Sequence, residues 1–222
     1  MVPLREDVKW PRCYGPNRGV NDRMRKMSWE LNSIAFLGDI CLRAEGNPQV
    51  IEAPRGQAVA FDGARDGLFA QTNPLAGMKA FTIEIVFRPD RGGLKEQRFF
   101  HVGQAHCDRV LFETRLAADD QWYLDTFIRS KDSDCTLLNR EFFHPLGAWY
   151  HLAMSCDGQQ QINYVNGIKE NRGSIDFAPI DNTGALSVGV RLNRVCWFLG
   201  AISELHLTAE AIGPEEFCLL QK

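Results

Sequence analysis

The chain has 222 residues, a length that fits one large all-β domain or two small domains. Its 45% apolar and 24% charged residues are typical of a globular protein that needs neither metal nor disulfide to fold. The net charge of −3 argues against nucleic acid as a partner, and no run of about 18 apolar residues predicts a membrane span.

The first 28 residues are rich in Pro, Gly, Asn, Arg and Lys, which predicts an irregular arm over residues 1–32. Trp10 and Tyr14 would dock this arm on the domain, or the arm would stay flexible. Its positive charges suit an acidic partner, although so short a run is more typical of solvated surface. The folded domain is predicted over residues 33–222, with short strands or turns at 33–37 and 49–52.

From residue 57 onward the pattern turns strongly β. Short runs of β-branched and aromatic residues alternate with turn residues, and no helical period is present. The predicted strands are 57–61, 81–87, 98–102, 110–116, 122–129, 149–156, 161–165, 185–190 and 198–207. Many short strands at regular spacing favour an all-β fold, a two-sheet antiparallel β-sandwich or jelly roll, over a parallel α/β sheet.

Three local features add detail to this pattern. Asn166 and Gly167 predict a two-residue hairpin, because a type I′ turn needs positive φ at both central residues. Thr208 is placed to cap a short helix at 209–211, with a turn starting at Pro214. Trp149, at the start of a strand, is predicted to be a core anchor rather than a platform for a sugar.

Seven cysteines are scattered without a CxxC pair, so the sequence shows no zinc or redox motif. We interpret them as free thiols, among them Cys156 as a small buried hydrophobic residue. Reduced thiols favour a cytosolic setting, and residues 1–26 lack the apolar segment of a signal peptide. A secreted chain trimmed of its signal would look the same, so both localisations stay open.

Four segments, in order, resemble the laminin-G-like jelly rolls of the concanavalin A-like lectin/glucanase superfamily. Residues 60–63 (AFDG) with 66–68 (DGL) are similar to the opening strand and turn, and residues 81–89 (FTIEIVFRP) to the next strand. Residues 147–153 (GAWYHLA), with the Asn-Gly turn, resemble the central hairpin. The closing strand and terminal turn are matched by residues 200–207 and 214–217. The resemblance implies an antiparallel sandwich shared by lectins, adhesion modules, glycoside hydrolases and polysaccharide lyases.

The resemblance also implies a calcium site, since members of this superfamily often bind calcium near the first turn and the closing strand. Asp62 and Asp66 match the first region and are the metal-ligand candidates. Ser203 stands where an Asp commonly precedes the Glu of the closing strand, which weakens a site that needs 6–8 hard oxygen ligands. The alternative is that both Asp residues bond their own backbone in a turn.

Polar residues alternate with apolar ones along two predicted strands and are expected to share one face of a sheet. With histidines of neighbouring strands, the candidate ligand-binding residues are His101, Glu113, Arg115, Tyr123, Asp125, Arg129 and His151. On a concave face, Arg would clamp the carboxylate of an anionic sugar, and Tyr or His would move a proton, as in a lyase. The alternative is an ordinary solvated face with cross-strand ion pairs. No single strand carries the paired carboxylates of a sandwich glucanase.

The sequence therefore favours a non-catalytic carbohydrate-binding or adhesion-like sandwich, with a glycan or polysaccharide as partner. The first alternative is a polysaccharide lyase or glycoside hydrolase acting at the polar face. The second is a structural or oligomerisation domain that assembles through sheet edges and the arm. Whether the protein is an enzyme, and its oligomeric state, stay open at this point.

Overall fold

The computed structural model describes residues 26–218, and these form two antiparallel sheets packed as a sandwich. The strands of sheet I are, in spatial order, β16 (Ile168–Ser174), β15 (Gln160–Val165), β14 (Tyr150–Cys156), β8 (Phe81–Pro89), β18 (Leu199–Thr208), β6 (Gln57–Asp62) and β5 (Gln49–Glu52), with β1 (Lys26–Glu30) beside β18. The strands of sheet II are β12 (Ser133–Leu138), β11 (Gln121–Ser130), β10 (Arg109–Leu116), β9 (Glu96–Gly103), β17 (Ala185–Val188), β7 (Gly67–Ala70) and β4 (Arg43–Glu45), with β13 (His144–Pro145) beside β11. The remaining secondary structure is a small hairpin, β2 (Phe36–Leu37) and β3 (Ile40–Cys41), and a 3-10 turn, Pro214–Glu216.

The core lies between the two sheets and is built from alternate residues of each strand. On β8 the odd-numbered residues from Phe81 to Phe87 point inward, and none is more than 2% exposed. Phe87 stacks on Phe99 of sheet II at 4.8 Å between ring centroids and meets Trp122 edge-on at 5.1 Å. Such aromatic contacts add to the burial energy of the rings. The remaining residues of each strand form the outer faces of the sandwich.

A second, smaller apolar cluster lies on the outer face of sheet I. The segment after β18 crosses this face and places Ile212 and Phe217 against Ala153 and Tyr164. The Phe217 side chain is fully buried, and its ring meets that of Tyr164 edge-on at 5.2 Å. The end of the described chain therefore covers part of this face.

The predicted sandwich and most of its predicted strands are confirmed. Asn166 and Gly167 form the predicted two-residue hairpin between β15 and β16, with φ of 50° and 77°. The pattern missed three edge strands, β4, β12 and β16, and the inner strand β7. β12 and β16 carry polar residues on exposed positions and lack a continuous apolar alternation, which is how edge strands avoid pairing with other chains.

Two predictions about the ends of the domain differ from the structure. Residues 26–30, predicted to be part of the arm, form β1, because Trp29 is buried in the core while its neighbours pair with β18. Residues 1–25 lie outside the described residues. The helix predicted at 209–211 is absent from the described chain: Thr208 ends β18, and the 3-10 turn follows only at Pro214.

Two side-chain predictions were also wrong. Trp149 is not a core residue but lies partly exposed at the surface, while its neighbour Tyr150 is 7% exposed and packs inward. Cys41 is disulfide-bonded, which contradicts the prediction of free thiols, although five other cysteines of the described chain are free. The cytosolic setting was inferred from reduced thiols, and the disulfide at Cys41 does not fit that inference. Within residues 26–218, no helix is long and apolar enough to cross a membrane.

Candidate functional site

An open cleft of about 240 Å³ lies on the outer face of sheet I. Its lining residues come from four places in the chain and are Pro54, Arg55, Val86, Trp149, Tyr150, His151, Ser203 and Glu204. The volume is just below the roughly 300–1,000 Å³ of common ligand pockets. The cleft therefore fits a small ligand or the terminal unit of a longer one.

The strand register fixes the floor and the two sides of the cleft. Val86 on β8 is paired with His151 on β14 and with Glu204 on β18. Because neighbouring strands are about 4.8 Å apart, His151 and Glu204 stand roughly 10 Å apart across the floor. A bulge between Ile202 and Glu204 shifts the register of β18 at this point. Such a bulge redirects side chains, and here it places Ser203 and Glu204 together in the cleft wall.

The aromatic wall of the cleft is Trp149, just before β14. The Arg88 guanidinium lies over the indole ring, 5.3 Å from its centroid, and is itself bound by Asp90 at 2.7 Å and 2.9 Å. This cation–π contact holds the indole at the surface instead of letting it turn inward. The result is a partly exposed aromatic surface beside polar side chains.

His151 is held rigidly in the cleft wall. Its Nε2 hydrogen-bonds the Glu84 carboxylate at 2.9 Å, and Phe217 packs on its ring at 5.4 Å between centroids. The other Glu84 oxygen accepts a hydrogen bond from the backbone N–H of Cys218 at 3.1 Å. Nδ1 of His151 is buried and has no hydrogen-bond partner among the described residues. The Glu84 carboxylate thus orients an imidazole whose second nitrogen is not used.

The outer face of sheet II carries the polar side chains that alternation predicted to lie together. Glu113 on β10 is paired with Asp125 on β11 and with Arg98 on β9. Arg98 Nε donates to Glu113 at 2.9 Å, and Arg115 Nε donates to Asp125 at 2.7 Å. Arg115 also contacts Glu96 and Glu113. The carboxylates are thus neutralised in a network beneath the two arginines.

The predicted open face is closed at this point. Glu113 is 4% exposed, Asp125 is 2% exposed and Tyr123 is 7% exposed. Phe143 packs edge-on against Tyr123 at 5.7 Å between centroids. Arg115 is bound to acidic side chains and has no free fork for an anionic sugar. The geometry is that of a cross-strand ion-pair network.

Burial and the nearby Glu113 carboxylate raise the pKa of Asp125 to about 6, while the hydrogen bond from Arg115 opposes this shift. One oxygen of Asp125 is buried without a partner among residues 26–218. A carboxyl group with a raised pKa is a usual candidate for general acid catalysis. Here the arginine layer and the burial of Asp125 and Glu113 separate both groups from any substrate.

His101 is a structural residue of sheet II. Its Nε2 bonds the Gln104 carbonyl at 3.1 Å, and its Nδ1 accepts the backbone N–H of Leu192 at 3.3 Å. Burial, reinforced by nearby arginines, lowers the pKa of His101 to about 3, so the ring is neutral. The neutral imidazole joins two loops that flank β9.

The predicted calcium ligands act as turn residues. Asp62 Oδ1 accepts hydrogen bonds from the N–H groups of Ala64, Arg65 and Asp66, which leaves that oxygen no lone pair for a metal ion. Asp66 accepts from the N–H groups of Asn47 and Asp62. No group of three metal-ligating side chains occurs within the described part of the chain. The geometry fits the turn better than a metal site, and calcium here stays a prediction.

The structure divides the predicted site residues between the two sheets. Sheet II carries His101, Glu113, Arg115, Tyr123, Asp125 and Arg129, whereas His151 lies on the outer face of sheet I. The sequence reasoning missed the cleft residues Arg55, Trp149 and Glu204. The one sequence signal for the cleft was the family-like segment 147–153, which includes Trp149. Trp149 was instead predicted to be a core anchor.

The chain belongs to the concanavalin A-like lectin/glucanases superfamily: its laminin G-type family model matches residues 62–218. Among curated proteins, no match was found.

Solved structures with the same fold include domain 4 of AbnA, a GH43 extracellular arabinanase from Geobacillus stearothermophilus, in complex with arabinotriose. It is 18% identical, with a TM-score of 0.57 over 89% of this chain and 88% of that one. The binding domain of botulinum neurotoxin DC in complex with SialylT is 13% identical, with a TM-score of 0.63 over 88% of this chain and 50% of that one. A SAP-like pentraxin from Limulus polyphemus is 17% identical, with a TM-score of 0.57 over 72% of this chain and 78% of that one. At these identities the likeness establishes the fold alone.

Proposed function

We propose that the protein is a carbohydrate-binding module whose ligand occupies the cleft on the outer face of sheet I. The observation that carries the proposal is the partly exposed indole of Trp149 beside the polar side chains of Ser203, Glu204 and Arg55. Sugars present an apolar ring face and a rim of hydroxyl groups. An aromatic ring with carboxylate, hydroxyl and guanidinium groups beside it complements both.

The size and openness of the cleft narrow the ligand to one or two sugar units, such as the end of an oligosaccharide. Two of the structures with this fold were determined with arabinotriose or SialylT bound, which supports testing oligosaccharides first. The paired Glu84 and His151 fix one wall, so little side-chain ordering is left to oppose binding.

The test is a glycan array, followed by calorimetric titration of the best oligosaccharide. Replacing Trp149 with Ala removes the aromatic wall and should weaken binding at least about tenfold, as for central tryptophans in other interfaces. Trp197→Ala is the matched control, because Trp197 is half-buried and is not among the cleft-lining residues. Equal affinity of wild type and Trp149→Ala for every bound glycan would refute the proposal.

Catalysis in the same cleft is a second candidate function, favoured by the His151 imidazole, which lines the cleft and is oriented by the Glu84 carboxylate. A carboxylate that orients a histidine is a common arrangement for a general base. The glycans found on the array are therefore also incubated with the protein, and new reducing ends or double bonds are measured. If wild type turns over a glycan and His151→Gln binds it without turnover, the protein is an enzyme. If wild type shows no turnover, the protein is a binding module.

A further inference from the structure

A cluster of three arginines lies on the outer face of sheet II, away from the cleft. Arg109 on β10 and Arg129 on β11 are cross-strand partners. Their neighbours Val110 and Ile128 face the core, so both arginines project outward. Arg191, in the segment after β17, is close enough to repel the charge of Arg109. We call Arg109, Arg129 and Arg191 the arginine cluster.

None of these guanidinium groups has an acidic partner within 4.0 Å among residues 26–218, whereas Arg98 and Arg115 on the same face contact two and three acidic side chains. Nε of Arg109 and Nε of Arg191 are buried and lack a hydrogen-bond acceptor in the described chain. Asp134 lies opposite Arg129 in the strand register but forms no ion pair with it. The cluster therefore holds three positive charges without a bound counter-charge.

Such an arrangement is electrostatically unfavourable in the absence of an anion. Burial, followed by repulsion from Arg191 and Arg129, lowers the pKa of Arg109, and Asp134 opposes this shift. Burial and repulsion from Arg98 lower the pKa of Arg191, and Glu113 opposes this shift. Like charges close together in a partly desolvated place destabilise the fold unless an opposite charge offsets them.

Arg109 and Arg191 contact backbone carbonyls and an aromatic ring, and these contacts fix their positions without using all of their N–H donors. Arg109 donates to the Cys107 carbonyl at 2.7 Å and lies over the Phe127 ring at 4.7 Å. Arg191 donates to the Ala105 carbonyl at 2.9 Å. Each guanidinium has five N–H donors, and one donor of Arg109 and one of Arg191 have a protein acceptor in these contacts. The loop between β9 and β10 thus holds two guanidinium groups in place beside the exposed Arg129.

We propose that the arginine cluster is a binding site for a tetrahedral dianion, the phosphate or sulfate group, either free or as a monoester. Guanidinium groups bind the oxygens of such groups through paired, charge-assisted hydrogen bonds. Three positive charges match a dianion better than they match a single carboxylate. The site is on the opposite sheet from the Trp149 cleft, so it operates whether or not that cleft binds a sugar.

The test is calorimetric titration of the full chain with sodium phosphate, sodium sulfate and glucose 6-phosphate, against sodium chloride at equal ionic strength. Wild type should bind the dianions saturably and chloride not at all. The double variant Arg109→Gln/Arg191→Gln should lose at least about tenfold in affinity. Tighter binding of glucose 6-phosphate than of phosphate identifies a monoester as the ligand, and equal binding identifies the free ion.

The control is Arg140→Gln/Arg172→Gln, which removes the same charge at two exposed positions. Its affinity should equal that of wild type, because only the net charge has changed. If the double variant of the cluster does not fold, Arg129→Gln decides, since this exposed side chain can be changed without opening the core. A several-fold loss in Arg129→Gln supports the site. No saturable binding by wild type, or an equal loss in the control, overturns it.

Discussion

Asp125 and His101 lie on the same outer face of sheet II, and the two residues titrate in opposite senses. The pKa of the Asp125 carboxyl is raised by burial and by Glu113, whereas the pKa of the His101 imidazole is lowered by burial. Both shifts follow first from burial, which disfavours the charged form of either group. The stability of the fold between about pH 4 and pH 6 should therefore contain two opposed contributions.

Replacing Asp125 with Asn should change the slope of stability against pH. The pKa of Asp125 rises from 3.8 to about 6 on folding, so the folded state holds more protons in this range, and stability falls as the pH rises through it. The amide of the introduced asparagine cannot ionise, and at pH 7 the variant should equal or exceed wild type by up to about 3 kcal/mol. Urea unfolding at several pH values measures this. Asp132→Asn, exposed in the β11–β12 turn, should keep the wild-type slope.

Replacing His101 with Gln should have the opposite effect on the slope. The pKa of His101 falls from 6.5 to about 3 on folding, so the unfolded state holds more protons between these values, and stability is lost as the pH falls. Gln keeps a donor for the Gln104 carbonyl but does not titrate. The variant should show stability decreasing as the pH rises from about 4 to about 6, because only the Asp125 contribution is left. Slopes of the same sign in both variants would contradict this assignment.

At the scale of elements, the segment after β18 connects the stability of the fold to the cleft. Phe217 is fully buried against Tyr164, and its ring also contacts His151 in the cleft wall. Phe217→Ala should therefore cost about 3–5 kcal/mol of unfolding free energy. It should also weaken glycan binding, because the His151 ring loses the surface that holds it.

Thermal or urea unfolding and calorimetric titration measure the two effects of Phe217→Ala. Phe36→Ala is a matched control, since Phe36 is 53% exposed and its loss should cost less than about 1 kcal/mol. Unchanged glycan affinity in a folded Phe217→Ala protein would show that the segment supports the sheet alone. The cleft would then depend on Glu84 for the orientation of His151.

The strands differ in how far the sequence predicted them, and the reason lies in where each strand sits. Central strands such as β8 and β14 carry β-branched and aromatic residues whose burial is visible in the pattern. The edge strand β16 is largely polar, and β1 is recognisable only by Trp29. Turn chemistry at Asn166 was fully predictable, because positive φ restricts the residue type.

At the scale of the whole molecule, the polar outer face of sheet II was easier to predict from the sequence than the cleft on sheet I. Residues of adjacent strands, such as Glu113 and Asp125, were grouped correctly, because alternation alone assigns a face. The cleft joins Arg55, Trp149 and Glu204 through a bulge and a strand order that no local pattern reveals. The arginine cluster likewise needs Arg191, which comes from a loop far along the chain.

The pairing of β1 with β18 places the first and the last described strands side by side. On the ribosome, β1 is made first and meets its partner only after the intervening chain is complete. At about 5–20 residues per second, this wait lasts roughly 10–35 s. During that time Trp29 has no place in a core, and one edge of the growing sheet has no closing strand. During this period the nascent chain exposes Trp29 and an unpaired sheet edge, and we expect a chaperone to bind it then.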